Sequence, residues 1–201
     1  MLDPVMRRLI DPPLNRLARY SPLSANSITA LGFVCGLASA VATARGRMDV
    51  ALFFLLANRF ADGLDGAVAR QRQTVSNFGA YADIVADFLI WSILPLSFIC
   101  LSPDNAVAAA ILLSSFAMSM TVFLAFAVMA EKLSLTTEAQ GKKGFFYLAG
   151  LAEGTETILF FMACMIWPAH FTQLAYIFAA IVYCSVIGRI IVAGKQLSSR
   201  I

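Results

Sequence analysis

Apolar residues run along this chain in long blocks separated by short polar connectors. Six blocks stand out, at about 27–44, 49–73, 77–101, 105–130, 145–167 and 171–196. Each is close to the ~20 residues that an α-helix needs to cross a bilayer. The connectors carry turn formers: Arg45-Gly46-Arg47, Ser102-Pro103-Asp104-Asn105 and Trp167-Pro168-Ala169-His170. The longest connector, about 131–144, is polar. Residues 1–20 follow a different pattern. Leu2, Val5, Met6, Leu9 and Ile10 fall on one helical stripe, with Asp3, Arg7, Arg8 and Asp11 off it. Pro12 and Pro13 interrupt the stripe, and Leu14, Leu17 and Ala18 resume it. The pattern therefore predicts an all-α integral membrane protein. An amphipathic helix in two pieces over 1–20 lies at the membrane interface. A domain of six transmembrane helices follows over 21–201.

Composition agrees with this class. Hydrophobic residues make up 60% of the 201 residues and charged ones 13%, whereas soluble domains carry about 25% charge. Cys35, Cys100, Cys164 and Cys184 each lie in an apolar run without metal-ligand spacing, and read as packing residues. The amphipathic start has no short uniform apolar core, so no secretory signal is expected. No basic tail suggests nucleic acid as a partner. The basic residues are instead distributed by side. With a cytosolic amino terminus, eleven Lys and Arg residues fall inside and only Arg45 and Arg47 outside. This bias predicts cytosolic amino and carboxyl termini, and the compartment expected is a bacterial inner membrane.

Six of the twelve acidic residues lie within apolar blocks: Asp62, Asp65, Asp83, Asp87, Glu153 and Glu156. A carboxylate near the bilayer centre costs at least about 2.5 kcal/mol, so intramembrane acids are functional candidates. Asp62 and Asp65 are three apart, and Asp83 and Asp87 four apart, so each pair shares a helix face. Gly66, Ala69 and Gly79 leave space on those faces. A rise of about 1.5 Å per residue puts all six acids and Arg189 in one layer roughly 9–16 Å from the cytosolic helix ends. Crowded carboxylates cannot all stay ionised without cations. Two divalent ions would balance four aspartates, and all-oxygen ligands favour Mg2+, with Mn2+ as the alternative. Such ions beside an arginine suit a pyrophosphate and phosphoryl transfer.

The run Asp62-Gly-Leu-Asp65-Gly66-Ala-Val-Ala69-Arg70, continued by Gly79, Asp83 and Asp87, resembles the signature of the CDP-alcohol phosphotransferases. Every fixed position and gap agrees. The segment Ser24-Ala25-Asn26-Ser27-Ile28-Thr29 is similar to the start of that family's first span, and Gly141 to Phe161 resembles an enterobacterial branch of it. The resemblance implies metal ligation by Asp62, Asp65, Asp83 and Asp87, with Asp87 also the general base. It implies CDP binding by Gly66, Ala69, Arg70 and Gly79. It implies a homodimer that moves a phosphatidyl group from CDP-diacylglycerol to a small alcohol and releases CMP. A polar network, a divalent-cation transporter or an inactive scaffold are the rival readings of the acids. For the acceptor, Lys142, Lys143, Glu153, Glu156 and Arg189 are the candidates. Glycerol 3-phosphate, an inositol phosphate and amino alcohols such as serine remain open, and the basic residues at the cytosolic mouth favour a phosphorylated polyol.

Overall fold

A computed structural model describes the backbone of residues 3–132 and 154–198, and side chains from residue 10 onward. Among the described residues the chain forms seven α-helices. These are α1 (Asp3–Tyr20), α2 (Ala25–Ala44), α3 (Met48–Gln71), α4 (Asn77–Leu101), α5 (Ala106–Lys132), α6 (Gly154–Ile166) and α7 (Phe171–Ser198). Single 3₁₀ turns at Pro103–Asn105 and Pro168–His170 precede α5 and α7.

Among the described residues, four stretches are long and apolar enough to cross a membrane: α2, α4, α5 with its leading turn, and α7 with its leading turn. Helix α3 is long enough at 24 residues but carries Asp49, Arg59, Asp62, Asp65 and Arg70. Helix α6 is apolar with 13 described residues, and the earlier part of the fifth apolar block lies outside the described residues. Many large apolar side chains on the long helices are exposed, among them Val34, Phe53, Val107, Val128, Ile177 and Ile187. Such an outward face suits hydrocarbon rather than water.

One expectation is corrected. The two prolines do not divide the first segment, because α1 runs unbroken from Asp3 to Tyr20. A proline removes one backbone donor and crowds the carbonyl four residues earlier. Pro12 and Pro13 are both exposed, so neither ring has to be accommodated in the core. Packing fixes the second half instead: Leu14 and Ala18 are buried against Ile28, Ala67 and Val68. A Cβ on Gly63 would come within 2.7 Å of Leu14 Cδ1. Gln71 Nε2 donates to the Asn15 carbonyl at 2.5 Å, and Arg72 donates to the carbonyls of Ser21 and Leu23. Helix α1 is thereby tied to the helix that carries Asp62 and Asp65.

The remaining helices share one continuous core with two differently built sides. Helix α2 presents a small-residue stripe, Gly32, Gly36, Ser39, Ala40 and Thr43, all buried. Small stripes let membrane helices approach closely. A Cβ at Gly36 would run into the Ile90 side chain, so glycine there lets α4 lie close against α2. Ser39 Oγ donates to the Ala51 carbonyl at 2.8 Å. Helices α3 and α4 both pack closely on α2, and much less on one another. The second side of this core is aromatic. Phe98 stacks on Phe171 with centroids 4.2 Å apart, Phe160 stacks on Phe178 at 4.4 Å, and Phe116 meets Phe161 and Phe178 edge-on. Asn105 ties the far turn together: its Nδ2 donates to the Phe98 carbonyl at 2.9 Å and its Oδ1 accepts from Thr172 at 3.1 Å.

Candidate active site

The gap between α3 and α4 follows from how the two helices are joined. Helix α3 closes with the Thr74 amide donating to the Ala69 carbonyl at 2.9 Å, and Gln73 takes φ +54°. This is a left-handed helix end. Ser76 then caps α4, its Oγ accepting from the Gly79 amide at 3.0 Å. The tight connection sets the two helices antiparallel, while α2 holds them apart. The last turns of α3 therefore face the first turns of α4 across a crevice.

That crevice is lined by Thr29, Gly32 and Phe33 from α2, Asn58, Arg59, Asp62 and Asp65 from α3, and Asp83, Ala86 and Asp87 from α4. All four aspartates singled out by spacing therefore meet in one place. Asp65 is the most enclosed, at 7% exposed, and its Oδ2 accepts from Thr29 Oγ1 at 2.5 Å. Asp87 Oδ1 accepts from Arg59 Nη2 at 2.5 Å. The other terminal nitrogen of Arg59 lies 3.7 Å from Asp62 Oδ2. Arg59 Nε donates to Asn58 Oδ1 at 2.8 Å, and Asn58 Nδ2 donates to the Gly32 carbonyl at 2.9 Å. A hydrogen-bonded chain thus runs from the backbone of α2 through α3 to Asp87 on α4.

The donor set suits hard divalent cations: four carboxylates and a hydroxyl, with neither sulfur nor imidazole in the crevice. Among the described residues, no three acidic, histidine or cysteine side chains converge as a ready cage, because Asp65 is turned to Thr29 and Asp87 to Arg59. The residues fit such ions in kind, with side-chain rotation needed to gather them.

The expected nucleotide-side residues line neither cavity and lie on the side of the crevice toward the α3–α4 connection. Arg70, exposed in the last turn of α3, folds back over Gly66, where a Cβ would come within 3.1 Å of its Nη1. Gly79 stands beside Ser76 and Asn26, whose Oδ1 a Cβ would meet at 3.6 Å. Ala69 lies on the same turn as Arg70, partly exposed.

The acceptor candidates separate. Arg189 is 7% exposed on α7 and donates through Nη1 to Ser119 Oγ of α5 at 3.0 Å. It lines a second cavity of about 120 Å³, walled by Phe88, Trp91, Phe116, Met120 and Phe123 and completed by Gly154, Thr157 and Val182. Phe88 directly follows Asp87, so the two sites share the wall of α4. Glu156 sits half-buried in the first turn of α6 and lines neither cavity. Lys142, Lys143 and Glu153 lie outside the described residues. Sequence spacing missed Thr29, Asn58, Ser119 and Thr157, which are neutral and ordinary for membrane helices. Arg59 left a signal, a cation one turn before Asp62, but its reach to Asp87 depends on the fold.

Comparison with known proteins places this geometry in context. A family model described as CDP-alcohol phosphatidyltransferase matches residues 23–191. The inner membrane protein YnjF of Escherichia coli (strain K12) is 37% identical over 194 residues, covering 94% of each chain. Archaetidylinositol phosphate synthase of Methanothermobacter thermautotrophicus is 29% identical over 201 residues, covering 96% of this chain and 93% of its own. Among solved structures, Mycobacterium tuberculosis phosphatidylinositol phosphate synthase (PgsA1) with CDP-DAG bound superposes with a TM-score of 0.69. It shares 20% identity and covers 92% of this chain and 93% of that one, a likeness of fold.

Proposed function

Since the chain belongs to the CDP-alcohol phosphatidyltransferase family, we propose that it transfers a phosphatidyl group from CDP-diacylglycerol to a small alcohol and releases CMP. The observation that carries this reading is the meeting of Asp62, Asp65, Asp83 and Asp87 in one crevice between α3 and α4. Asp62, Asp65 and Asp83, with Asp87 completing the set, would hold two divalent ions, Mg2+ by preference, and ions held there would supply positive charge to the pyrophosphate during phosphoryl transfer. Gly66, Ala69 and Gly79 let the cytidine nucleotide lie against the helices, and Arg70 holds its phosphates.

Asp87 is the general base. It takes the proton of the acceptor hydroxyl as that oxygen bonds to the lipid-side phosphorus. The bond from that phosphorus to CMP breaks, and CMP leaves with its electron pair. Such a base contributes about 10²–10⁴-fold to rate.

The acceptor belongs in the α4–α7 cavity beside Asp87, with an anionic group on Arg189. A phosphorylated polyol fits that cation. Two of the similar proteins are named as synthases of inositol phosphate lipids, which supports the same class. Lys142 and Lys143 then add charge at the mouth and Glu153 accepts from the polyol's hydroxyls, while Glu156, which lines neither cavity, is left out of the acceptor set. Six spans, cytosolic termini with a cytosolic active site, insertion in a bacterial inner membrane and a homodimer complete the proposal. The charge bias supports the orientation, and the inner-membrane name of the 37% identical relative supports the compartment.

The test is an acceptor panel. Purified protein, CDP-diacylglycerol and Mg2+ are incubated with glycerol 3-phosphate, inositol phosphate, inositol and serine, and lipid products are identified by mass. A product with a phosphorylated polyol is expected. A product only with serine would move the acceptor to another class, and no product with any of them would argue against transfer.

A further inference from the structure

Arg59 lies outside the spacing that defines the signature, yet it is the residue that joins the two carboxylate pairs. Its Nη2 reaches Asp87 on α4 at 2.5 Å, and Nη1 approaches Asp62 on its own helix at 3.7 Å. Its side chain is 13% exposed, against 24% for Asp87 and 35% for Asp62, so the arginine is more enclosed than the carboxylates it serves. Its placement is fixed from behind. Asn58 accepts from Nε at 2.8 Å and is itself anchored to the Gly32 carbonyl at 2.9 Å. Gly32 brings that carbonyl close, since a Cβ there would meet Ala61 Cβ at 2.9 Å. A planar guanidinium with donors on three nitrogens can make these contacts together, whereas an ammonium presents a single point of charge.

We propose that Arg59 is the site's built-in cation, a positioning residue that holds Asp87 and Asp62 in register and competes with divalent ions for them. The inference rests on the metal reading given above. Four carboxylates line the crevice, and like charges so close repel strongly where the dielectric is low. Arg59 offsets part of that repulsion and keeps Asp87 aimed across the gap. A divalent ion that takes Asp87 as ligand must displace the guanidinium or share the carboxylate with it. Arg59 therefore weakens metal binding while it stabilises the arrangement of the ligands. A purely structural arginine would act in the opposite sense, because losing it would disorder the site and weaken the metal.

The experiment measures Mn2+ binding to the full-length, detergent-purified protein by the electron paramagnetic resonance of free Mn2+, alongside thermal midpoints in chelator and in Mn2+. Arg59→Gln and Arg59→Met are expected to lower the Mn2+ dissociation constant on the order of tenfold, as removal of a neighbouring positive charge requires. Both should melt earlier than wild type in chelator and gain more on adding Mn2+. Arg59→Lys keeps the charge but cannot bridge both carboxylates, and should fall between. Folded neutral variants that bind Mn2+ no more tightly than wild type would overturn the proposal. If the neutral variants do not fold, Arg59→Lys decides: tighter binding than wild type supports competition, and equal or weaker binding overturns it. Wild type that binds no Mn2+ at all would instead defeat the metal reading, and the inference with it.

Discussion

The α3–α4 crevice and the α4–α7 cavity share one helix wall but are built on different terms. The crevice is polar, with four carboxylates and Arg59 around a narrow gap. The cavity is aromatic, with Phe88, Trp91, Phe116 and Phe123 around the cation of Arg189. The first can hold a charged nucleotide and its ions, while the second can grip one anionic group and exclude water from the rest. Asp87 and Phe88, adjacent on α4, belong one to each. The division implies that donor and acceptor sites can be damaged separately, and it can be broken at several points.

The largest effect is expected at the shared wall. Asp87→Asn should lower turnover by about 10²–10⁴-fold while CDP-diacylglycerol binding survives, because the amide keeps one ligand oxygen but accepts no proton. Steady-state CMP release and donor binding on the same preparation check this, and near-normal turnover would remove Asp87 from the base role.

Arg189→Met should act on the other side alone. Hydrogen bonds to charged groups are worth roughly 1.5–3 kcal/mol, so the acceptor KM should rise about 10–100-fold with donor affinity little changed. A variant that loses donor binding instead would merge the two sites into one.

Gly66→Leu should be the donor-side counterpart. Leucine is a good helix former, and the atom nearest a new Cβ is the end of the flexible Arg70 side chain at 3.1 Å, so folding should tolerate the change. Filling that space should weaken CDP-diacylglycerol binding by about tenfold or more, in line with overpacking costs of about 1–3 kcal/mol. Unchanged binding would place the nucleotide elsewhere.

The smallest effect concerns the turn that sets the crevice. Gln73 holds φ +54°, which costs an L-residue roughly 1–2 kcal/mol relative to glycine. Gln73→Gly should therefore raise thermal stability slightly, by about 0.5–1 kcal/mol after the added chain entropy, with kinetics unchanged. A loss of stability would mean that the Gln73 side chain supports the turn.

The two sites also differ in how far sequence alone discloses them. Asp62 to Asp87 fall within 26 residues on consecutive helices, so helical periodicity and a short turn are enough to bring them together. The cavity draws on Phe88, Phe116, Thr157 and Arg189 from four helices, and no local pattern relates them. Depth along a helix groups Arg189 with the acids but does not say which helix face it occupies. The gap itself could not be read either, since it depends on both α3 and α4 preferring the small face of α2. The unbroken α1 shows the same limit: Pro12 and Pro13 predict a break by local rules, whereas docking of Leu14 and Ala18 on α3 decides the outcome.

The most direct test of phosphatidyl transfer at the carboxylate crevice follows CMP release and lipid product together, in chelator and after Mg2+ is restored. Wild-type protein should form the two in equal amounts, stop when divalent ions are exhausted, and recover on their return, while Asp87→Asn stays near background throughout. Equal product formation in exhaustive chelator, or full activity in Asp87→Asn, would contradict it.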